Sequence, residues 1–430
     1  MSRAARLTGW ILREARTTFG AARLPGDALR ALVRLRLGQA LGAAAESPFH
    51  AARLREAGVL RGAERPWQDP ERALQDLAPL TKRGLQVAGS QALAGGRVDP
   101  AWWSSRSSGS TGEPFRVYYD ARGWALLKHL VKLRARRACG LRASDRVALL
   151  DAVEPHLEGA TALERTGRVR RISVLQPPDS IAHRLDSFRP DAVYALPSAL
   201  REAVRAGAAA AWRPRLVFTS GELLQGSARA ELEAALGCPV RDVYGSSETK
   251  EIAWECSRGR THVNADVVHV EILDGAGRCL PCGEEGDIVA TVLVNGAMPL
   301  LRYRLGDRGA LLDERCPCGL ALPLLGVVTG REVDRLQLAN GSSVSPYALT
   351  CALEDVDGLY RYQVVQLAPD RLRVHAQTAA AGEVTERRIR SALRRATGLP
   401  LQVEVEFVDA FGTGPGGKFR VVQPPDPSGR

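Results

Sequence analysis

Lysine is nearly missing from this chain. Of its 59 basic residues only Lys82, Lys128, Lys132, Lys250 and Lys418 are lysine, and the other 54 are arginine. A drift this strong toward guanidinium means that each retained ammonium calls for a local reason, since a compact mobile charge and a planar fork do different work. Long apolar runs are missing too. None approaches the ~20 residues that a membrane span requires. The N-terminus lacks the apolar core and cleavage site of a signal peptide, so a cytoplasmic location is expected. There is no basic run with interleaved aromatics and no recognisable nucleic-acid motif, which argues against nucleic-acid binding despite a net charge of +11. Part of that charge sits in residues 1–40, where eight arginines stand against Glu14 and Asp27. That arm reads as an amphipathic surface helix or as a helix packed on the body.

What is present fits a globular protein. At 430 residues the chain holds two or three domains, and its 45% hydrophobic and 25% charged residues are ordinary for one. Residues 1–90 read as helical, broken at Pro25-Gly26, Gly58 and Pro66, with Ser47-Pro48-Phe49 starting one helix. Val117–Tyr119 reads as a strand, and Trp124–Arg137 as a basic helix ending at Cys139-Gly140. Strands follow at Arg146–Leu150, Asp191–Leu196, Arg215–Glu222 and Val240–Glu248, with helices over Ser198–Ala211 and Ser227–Leu236. Polar residues stand just past these strands, the α/β layout in which ligands bind beyond strand C-termini. From Val263 to Leu311 the pattern turns β-rich. After Gly330-Arg331-Glu332-Val333-Asp334 come strands at Tyr362–Gln366, Leu372–Ala376 and Gln402–Val408 and a helix at Val384–Ala396, a small α+β region.

The stretch Ser107-Ser108-Gly109-Ser110-Thr111-Gly112 has four hydroxyls, two glycines and no bulky side chain. Such a backbone turns consecutive N–H groups toward one anion and adds hydroxyl donors, which is how a loop holds a polyphosphate. It is not a Walker A loop, because no G-x-x-x-x-G-K-[ST] occurs, and a flexible linker is the other reading. Lys418 lies in the glycine-rich Gly414–Arg420, where a mobile loop would deliver one charge to a phosphate or acyl phosphate, or carry a plain surface lysine.

Taken in order, Ser107–Pro114, Tyr244-Gly245-Ser246-Ser247-Glu248, Arg302-Tyr303-Arg304-Leu305-Gly306-Asp307, Gly330-Arg331-x-x-Asp334 and Gly417-Lys418 resemble the motif series of adenylate-forming ligases. Ser47-Pro48-Phe49-His50, Ala57-Gly58 and Leu77–Lys82 resemble the start of the phenylacetate–CoA ligase branch, which includes coenzyme F390 synthetase and capsule-gene relatives. The resemblance covers roughly residues 45–425. It implies a large α/β adenylate-forming domain and a small mobile α+β domain. Residues 1–90 would be a helical arm of the large domain, 91–333 its core with a β-rich subdomain, and 334–430 the lid.

The activity implied has two steps. A carboxylate attacks the α-phosphorus of ATP to give an acyl-adenylate and pyrophosphate, and a thiol such as CoA then displaces AMP. An aromatic acid is the family-level substrate, an acyl carrier protein or direct AMP transfer the alternative to CoA, and a homodimer the branch's habit. A non-catalytic nucleotide-binding relative is the third reading, opposed by the joint retention of Glu248, Asp307 and Lys418.

Carried over residue by residue, Ser107, Ser108, Gly109, Ser110, Thr111 and Gly112 hold the leaving pyrophosphate. Glu248 holds a Mg²⁺ bridging phosphate oxygens. Asp307 accepts both ribose hydroxyls, and Arg331 reaches the ribose or phosphates. Ser220, Gly221, Glu222, Tyr244, Gly245, Ser246 and Ser247 surround the adenine and the approaching carboxylate. Lys418 contacts the carboxylate and α-phosphate, and Asp334 is the hinge of the lid. Two departures stand out: Phe115 occupies the place of a lysine after Pro114, and Val333 replaces the first acid of the hinge pair.

Of the eight cysteines, Cys316-Pro317-Cys318 forms a tight pair about 60 residues after Cys256-x5-His262. Four such ligands from two turns suit a closed tetrahedral zinc site. Cys279 and Cys282 with Cys316 and Cys318 make a rival set. Members of the branch resemble the first arrangement and lack the cysteines of the second, which favours Cys256, His262, Cys316 and Cys318. Otherwise these are free thiols, with disulfides disfavoured. Cys139, Cys238 and Cys351 stand in apolar settings, as packing residues.

Overall fold

The computed structural model describes residues 13–60, 69–106, 116–151, 162–326 (apart from 175, 210–211, 223 and 225), 336–409 (apart from 341–342, 345–348, 350–351, 354–355, 357–358 and 379–380) and 422–423. Its contacts divide into two compact units: Met1–Arg106 with Arg116–Gly140 and Val243–Arg331, and Ser107–Phe115 with Leu141–Asp242 and Glu332–Arg430.

In the first unit the helical arm is present as Gly26–Ala44, Pro48–Glu56, Pro70–Gln75 and Lys82–Ala88. Ser47 caps the second of these, its Oγ accepting from His50 N, with Pro48 at the first helical position, where its missing N–H costs nothing. The Arg-rich start packs on the body. Arg134 donates to Thr18 O at 2.8 Å and to Asp266 Oδ1 at 2.8 Å, and Arg36 pairs with the other Asp266 oxygen at 3.5 Å. All three charged side chains are buried, so Asp266 is what makes two interior guanidiniums tolerable.

Strands β1 (Trp103–Arg106) and β2 (Arg116–Tyr119) pair antiparallel. The basic helix after them is not uniform. It starts at Ala121–Gly123, widens to a π stretch over Trp124–Leu130 and returns to α over Val131–Ala138, ending as expected at Cys139-Gly140. Such wide turns gather at functional sites more often than elsewhere. The chain enters this unit again within β7 (Val240–Ser246), whose end pairs antiparallel with β8 (Lys250–Glu255). Strand β9 (Thr261–Val263) follows on β8, and β10 (Val268–Leu273), β11 (Gly286–Val292) and β12 (Tyr303–Gly309) form a separate antiparallel sheet.

In the second unit β3 (Val147–Asp151), β4 (Val169–Ser173), β5 (Ala192–Ala195) and β6 (Leu216–Ser220) run parallel, with β3 between β4 and β5 and β6 outside β5. Helices Pro178–Phe188, Pro197–Arg205 and Gly226–Leu236 cover the sheet, burying Leu185, Phe188, Leu200 and Leu232. The helix expected over Ser198–Ala211 stops at Arg205. Gly207 and Ala209 take positive φ (99° and 65°), and Ala209 N donates to Asp186 Oδ1 at 2.9 Å instead of to a helical carbonyl. The C-terminal part is the expected α+β layer. Strands Leu359–Ala368, Arg371–Thr378 and Gln402–Phe407 and helix Glu383–Thr397 enclose Tyr362, Val364, Leu372, Val374, Ile389 and Leu393.

No described helix is long and apolar enough to cross a membrane.

Candidate active site

The turn between β7 and β8 carries five of the expected site residues and folds around one serine. Ser246 Oγ accepts from Glu248 N at 3.2 Å and Thr249 N at 3.1 Å, and shares a hydrogen with Thr249 Oγ1 at 2.9 Å. Gly245 is required beside it. A Cβ there would lie 2.1 Å from Lys250 O and 2.9 Å from Lys250 C, at the bulge where the β7–β8 register shifts. The backbone of β8 therefore passes too close for any side chain.

Two tyrosines tie this turn to its neighbours. Tyr119, buried at the end of β2, points its hydroxyl at Ser247 O (3.0 Å) and Glu248 O (2.9 Å), and burial pushes its pKa well above the phenol's usual value. Tyr303 at the start of β12 donates to Glu248 Oε1 at 3.3 Å. Glu248 itself is 7% exposed. A carboxylate so placed, with one oxygen holding a phenol, retains lone pairs for a hard cation. Farther along β12, Asp307 Oδ2 accepts from Tyr244 OH at 2.9 Å. Two widely separated motifs, 244–248 and 302–307, thus meet in two tyrosine–carboxylate pairs.

Lys250 completes this cluster. Its Nζ donates to Ser105 Oγ at 2.6 Å and Ser247 O at 2.8 Å, and lies 5.1 Å from the Tyr119 ring centroid. Burial, followed by the charges of Lys128 and Lys132, draws its pKa down to about 7. The sequence reading passed over Lys250, Tyr119, Tyr303 and Ser105. Only the scarcity of lysine flagged Lys250; Tyr303 lies inside the 302–307 motif without a role of its own, and nothing in local spacing marks Tyr119 or Ser105.

Arg302, which opens the 302–307 motif, is structural. It is buried, donates to Leu77 O at 2.6 Å and pairs with Glu271 at 3.1 Å. Ser220 and Gly221 stand at the end of β6, as expected. Glu222 is engaged by its own unit: Ser198 N (3.0 Å) and Ser198 Oγ (2.8 Å) donate to its carboxylate, which caps helix Pro197–Arg205 from outside. Ser107, Ser108, Gly109, Ser110, Thr111, Gly112, Arg331, Asp334 and Lys418 lie outside the described residues, as does Cys351.

Cys256, His262, Cys316 and Cys318 come together, their ligand atoms all within 4.8 Å of one another. The Cys256 and Cys316 sulfurs are 3.7 Å apart, and Cys318 Sγ is 3.3 Å from His262 Nε2. A tetrahedron with metal–sulfur bonds of ~2.3 Å has sulfur–sulfur edges of about 3.8 Å, so the spacing suits zinc. His262 Nδ1 faces Leu322 O at 3.0 Å, which leaves Nε2 toward the sulfurs, and burial lowers the pKa of its ring. Pairing of His262 with Leu324 of the short strand Leu324–Leu325 sets the two arms of the cluster side by side. The rival set is not assembled. Cys279 instead donates to Glu271 Oε1 at 3.1 Å, and Cys282 is exposed. Cys238 is buried in the core of the second unit, as expected of a packing residue.

No protein-family model matches the chain. Phenylacetate-coenzyme A ligase of Thermus thermophilus is 29% identical to it over 372 residues, 80% of this chain and 79% of that protein. Phenylacetate-coenzyme A ligase of Aromatoleum evansii is 33% identical over 247 residues, 54% of each chain. Among solved structures, 2-hydroxyisobutyryl-CoA ligase in complex with 2-HIB-AMP and CoA superimposes with a TM-score of 0.62 at 20% identity, over 94% of this chain and 91% of that one. In sequence the chain is thus similar to proteins named phenylacetate-coenzyme A ligase, and it shares its fold with 2-hydroxyisobutyryl-CoA ligase.

Proposed function

We propose that this chain is an AMP-forming acid–thiol ligase that activates a carboxylate as its acyl-adenylate and passes the acyl group to CoA. The observation that carries the reading is the pairing of Tyr244 with Asp307 and of Tyr303 with Glu248, which brings the two nucleotide motifs of the first unit into one network. The relatives named phenylacetate-coenzyme A ligase support the reaction and favour an aromatic acid.

In this reading Glu248 holds Mg²⁺ against the phosphates, its free lone pairs supplying hard oxygen ligands. Asp307, already accepting from Tyr244, takes the ribose hydroxyls. Tyr244–Ser247 line the adenine, and Glu222 acts by holding Ser198. Ser107–Gly112 hold the pyrophosphate, Arg331 the ribose or phosphates, and Lys418 the carboxylate and α-phosphate. Asp334 is the hinge about which residues 334–430 turn between the two half-reactions. Cys256, His262, Cys316 and Cys318 hold a structural zinc ion that fixes the β9 hairpin and takes no part in the chemistry.

The test is carboxylate-dependent pyrophosphate release from ATP over a panel of aryl and fatty acids, with and without CoA. Release that rises with one acid, yields a thioester with CoA and falls by about 100-fold or more in Lys418→Ala is the expected result. Release without thioester would transfer the second step to a carrier protein or to AMP transfer, the outcome that Val333 at the hinge makes worth measuring. No nucleotide binding and no release across the panel would overturn the reading.

A further inference from the structure

Residues 77–82 take no part in the proposed chemistry, yet they are built into the start of β12. Leu80 N donates to Arg302 O at 2.7 Å, and Arg304 N donates back to Leu80 O at 2.8 Å. Between these two bonds stands Tyr303, whose hydroxyl reaches Glu248 Oε1.

Arg302 itself has φ +51°, in the left-handed region that a non-glycine residue rarely enters. Such a conformation persists only where its surroundings over-determine it. Here they do. Arg302 N donates to Thr291 Oγ1 at 2.9 Å. The guanidinium forks onto Glu271, with Nε 3.2 Å from Oε2 and Nη2 3.1 Å from Oε1. Its other N–H groups reach Gln75 O at 3.1 Å, Leu77 O at 2.6 Å and Gly277 O at 3.2 Å. Both charged side chains are almost wholly buried. A buried ion pair is poor evidence of a gain in stability, because an apolar pair of similar volume often serves as well. What an apolar pair cannot do is hold one carboxylate and three carbonyls in fixed directions, as a planar fork does.

We propose that the Arg302–Glu271 pair is a positioning device for Glu248. Braced on the carbonyls of residues 75 and 77, it holds the left-handed turn at Arg302, so that the next side chain, Tyr303, keeps its hydroxyl on Glu248 Oε1 and the carboxylate in one orientation. The inference rests on the adenylation reading, which gives Glu248 to magnesium. Arg302 touches neither nucleotide nor metal in that reading and acts through Tyr303. A carboxylate left free to rotate loses rotamer freedom when it takes a cation, whereas one already held by a phenol has lost it beforehand. The same brace gives residues 77–82 a task that needs no ligand.

The test is a double-mutant cycle on the full chain with Arg302→Lys, Tyr303→Phe and both together. It is read by calorimetric titration with magnesium ATP, at a temperature where each protein is fully folded by its melting curve. Lysine keeps the charge opposite Glu271 but not the fork. Each single substitution is expected to weaken binding by about tenfold or more. The double variant is expected to bind no more weakly than the weaker single one, since the second change finds the contact already lost. In pyrophosphate release the magnesium requirement is expected to rise while the KM for the acid stays within about twofold. Should Arg302→Lys not fold, Thr291→Val takes its place in the cycle. It removes only the acceptor of Arg302 N, and its smaller loss of affinity is expected to vanish in the Tyr303→Phe background. Wild-type affinity in folded Tyr303→Phe or in its folded partner variant, or losses that multiply in the double variant, overturns the proposal and leaves the ligase reading intact. A wild-type protein that binds no magnesium ATP removes that reading and the inference with it.

Discussion

Gly245 shows how a single residue can be fixed by a backbone rather than by a ligand. Its missing Cβ is the space through which Lys250 O passes, and the same close approach lies at the bulge after Tyr244, just before the chain leaves the ladder at Ser247. A methyl group at 2.1 Å from a carbonyl oxygen cannot be absorbed by a rotamer change, because both atoms are main chain or bonded to it. Gly245→Ala should therefore cost on the order of 2–3 kcal/mol in denaturant unfolding. It should also depress pyrophosphate release more than thermal stability alone explains, since Glu248 and Lys250 sit on the displaced segment. Unaltered unfolding would mean that the bulge relaxes freely.

At the scale of elements, the region after β8 is held by what joins its ends as much as by its strands. β9 has three residues and pairs with a two-residue strand, which gives few ladder hydrogen bonds to resist fraying. The Cys256, His262, Cys316 and Cys318 cluster closes this region over a span of about 60 residues, a long loop whose closure entropy a metal can offset. The purified protein should contain one zinc ion per chain by elemental analysis. Chelation or Cys318→Ser should lower the melting temperature while leaving the tryptophan-independent secondary structure of the second unit in place. A metal-free protein with the same melting temperature would make the four residues a thiol packing cluster. The same scale explains why the basic helix departs from the expected regular form. A π stretch over Trp124–Leu130 interrupts an otherwise α-helical segment, a change of pitch that residue periodicity does not signal.

For the whole molecule, buried histidine links stability to pH. His50 is fully buried, and Arg53 Nη1 lies 3.0 Å from its Nδ1. Burial first, and the Arg53 charge second, lower its pKa from an ordinary 6.5 to about 3. The unfolded chain therefore binds a proton below about pH 6.5 that the folded chain does not accept until near pH 3. Stability is thus present above pH 6.5 and falls as the pH drops through that window. Unfolding free energies measured from pH 7 to 4 should decline, and His50→Gln should flatten the decline. An equally steep decline in the variant would assign it to other groups.

Much of this was legible in the residues themselves. Ser47 before Pro48 marks a helix start by local chemistry, and the parallel strands Val147–Asp151, Ala192–Ala195 and Leu216–Ser220 show as short apolar runs because Ala148, Leu150, Val193, Ala195 and Val217 fill the core of their unit. The gathering of Cys256, His262, Cys316 and Cys318 was legible as well, through the resemblance and the Cys316-Pro317-Cys318 pair. Long-range pairing was not. Tyr119, Tyr303, Ser105 and Lys250 belong to segments separated by up to about 200 residues, and no spacing rule joins them. Glu222 reads as a site residue by position, yet Ser198 claims its carboxylate. The linear order of residues determined the kind of chemistry this protein carries, because phosphate, metal and ribose each demand particular side chains. Which carboxylate holds a tyrosine, which caps a helix and which ammonium lies against the β7–β8 turn depended on strand register and burial, and these exist only once the chain has folded.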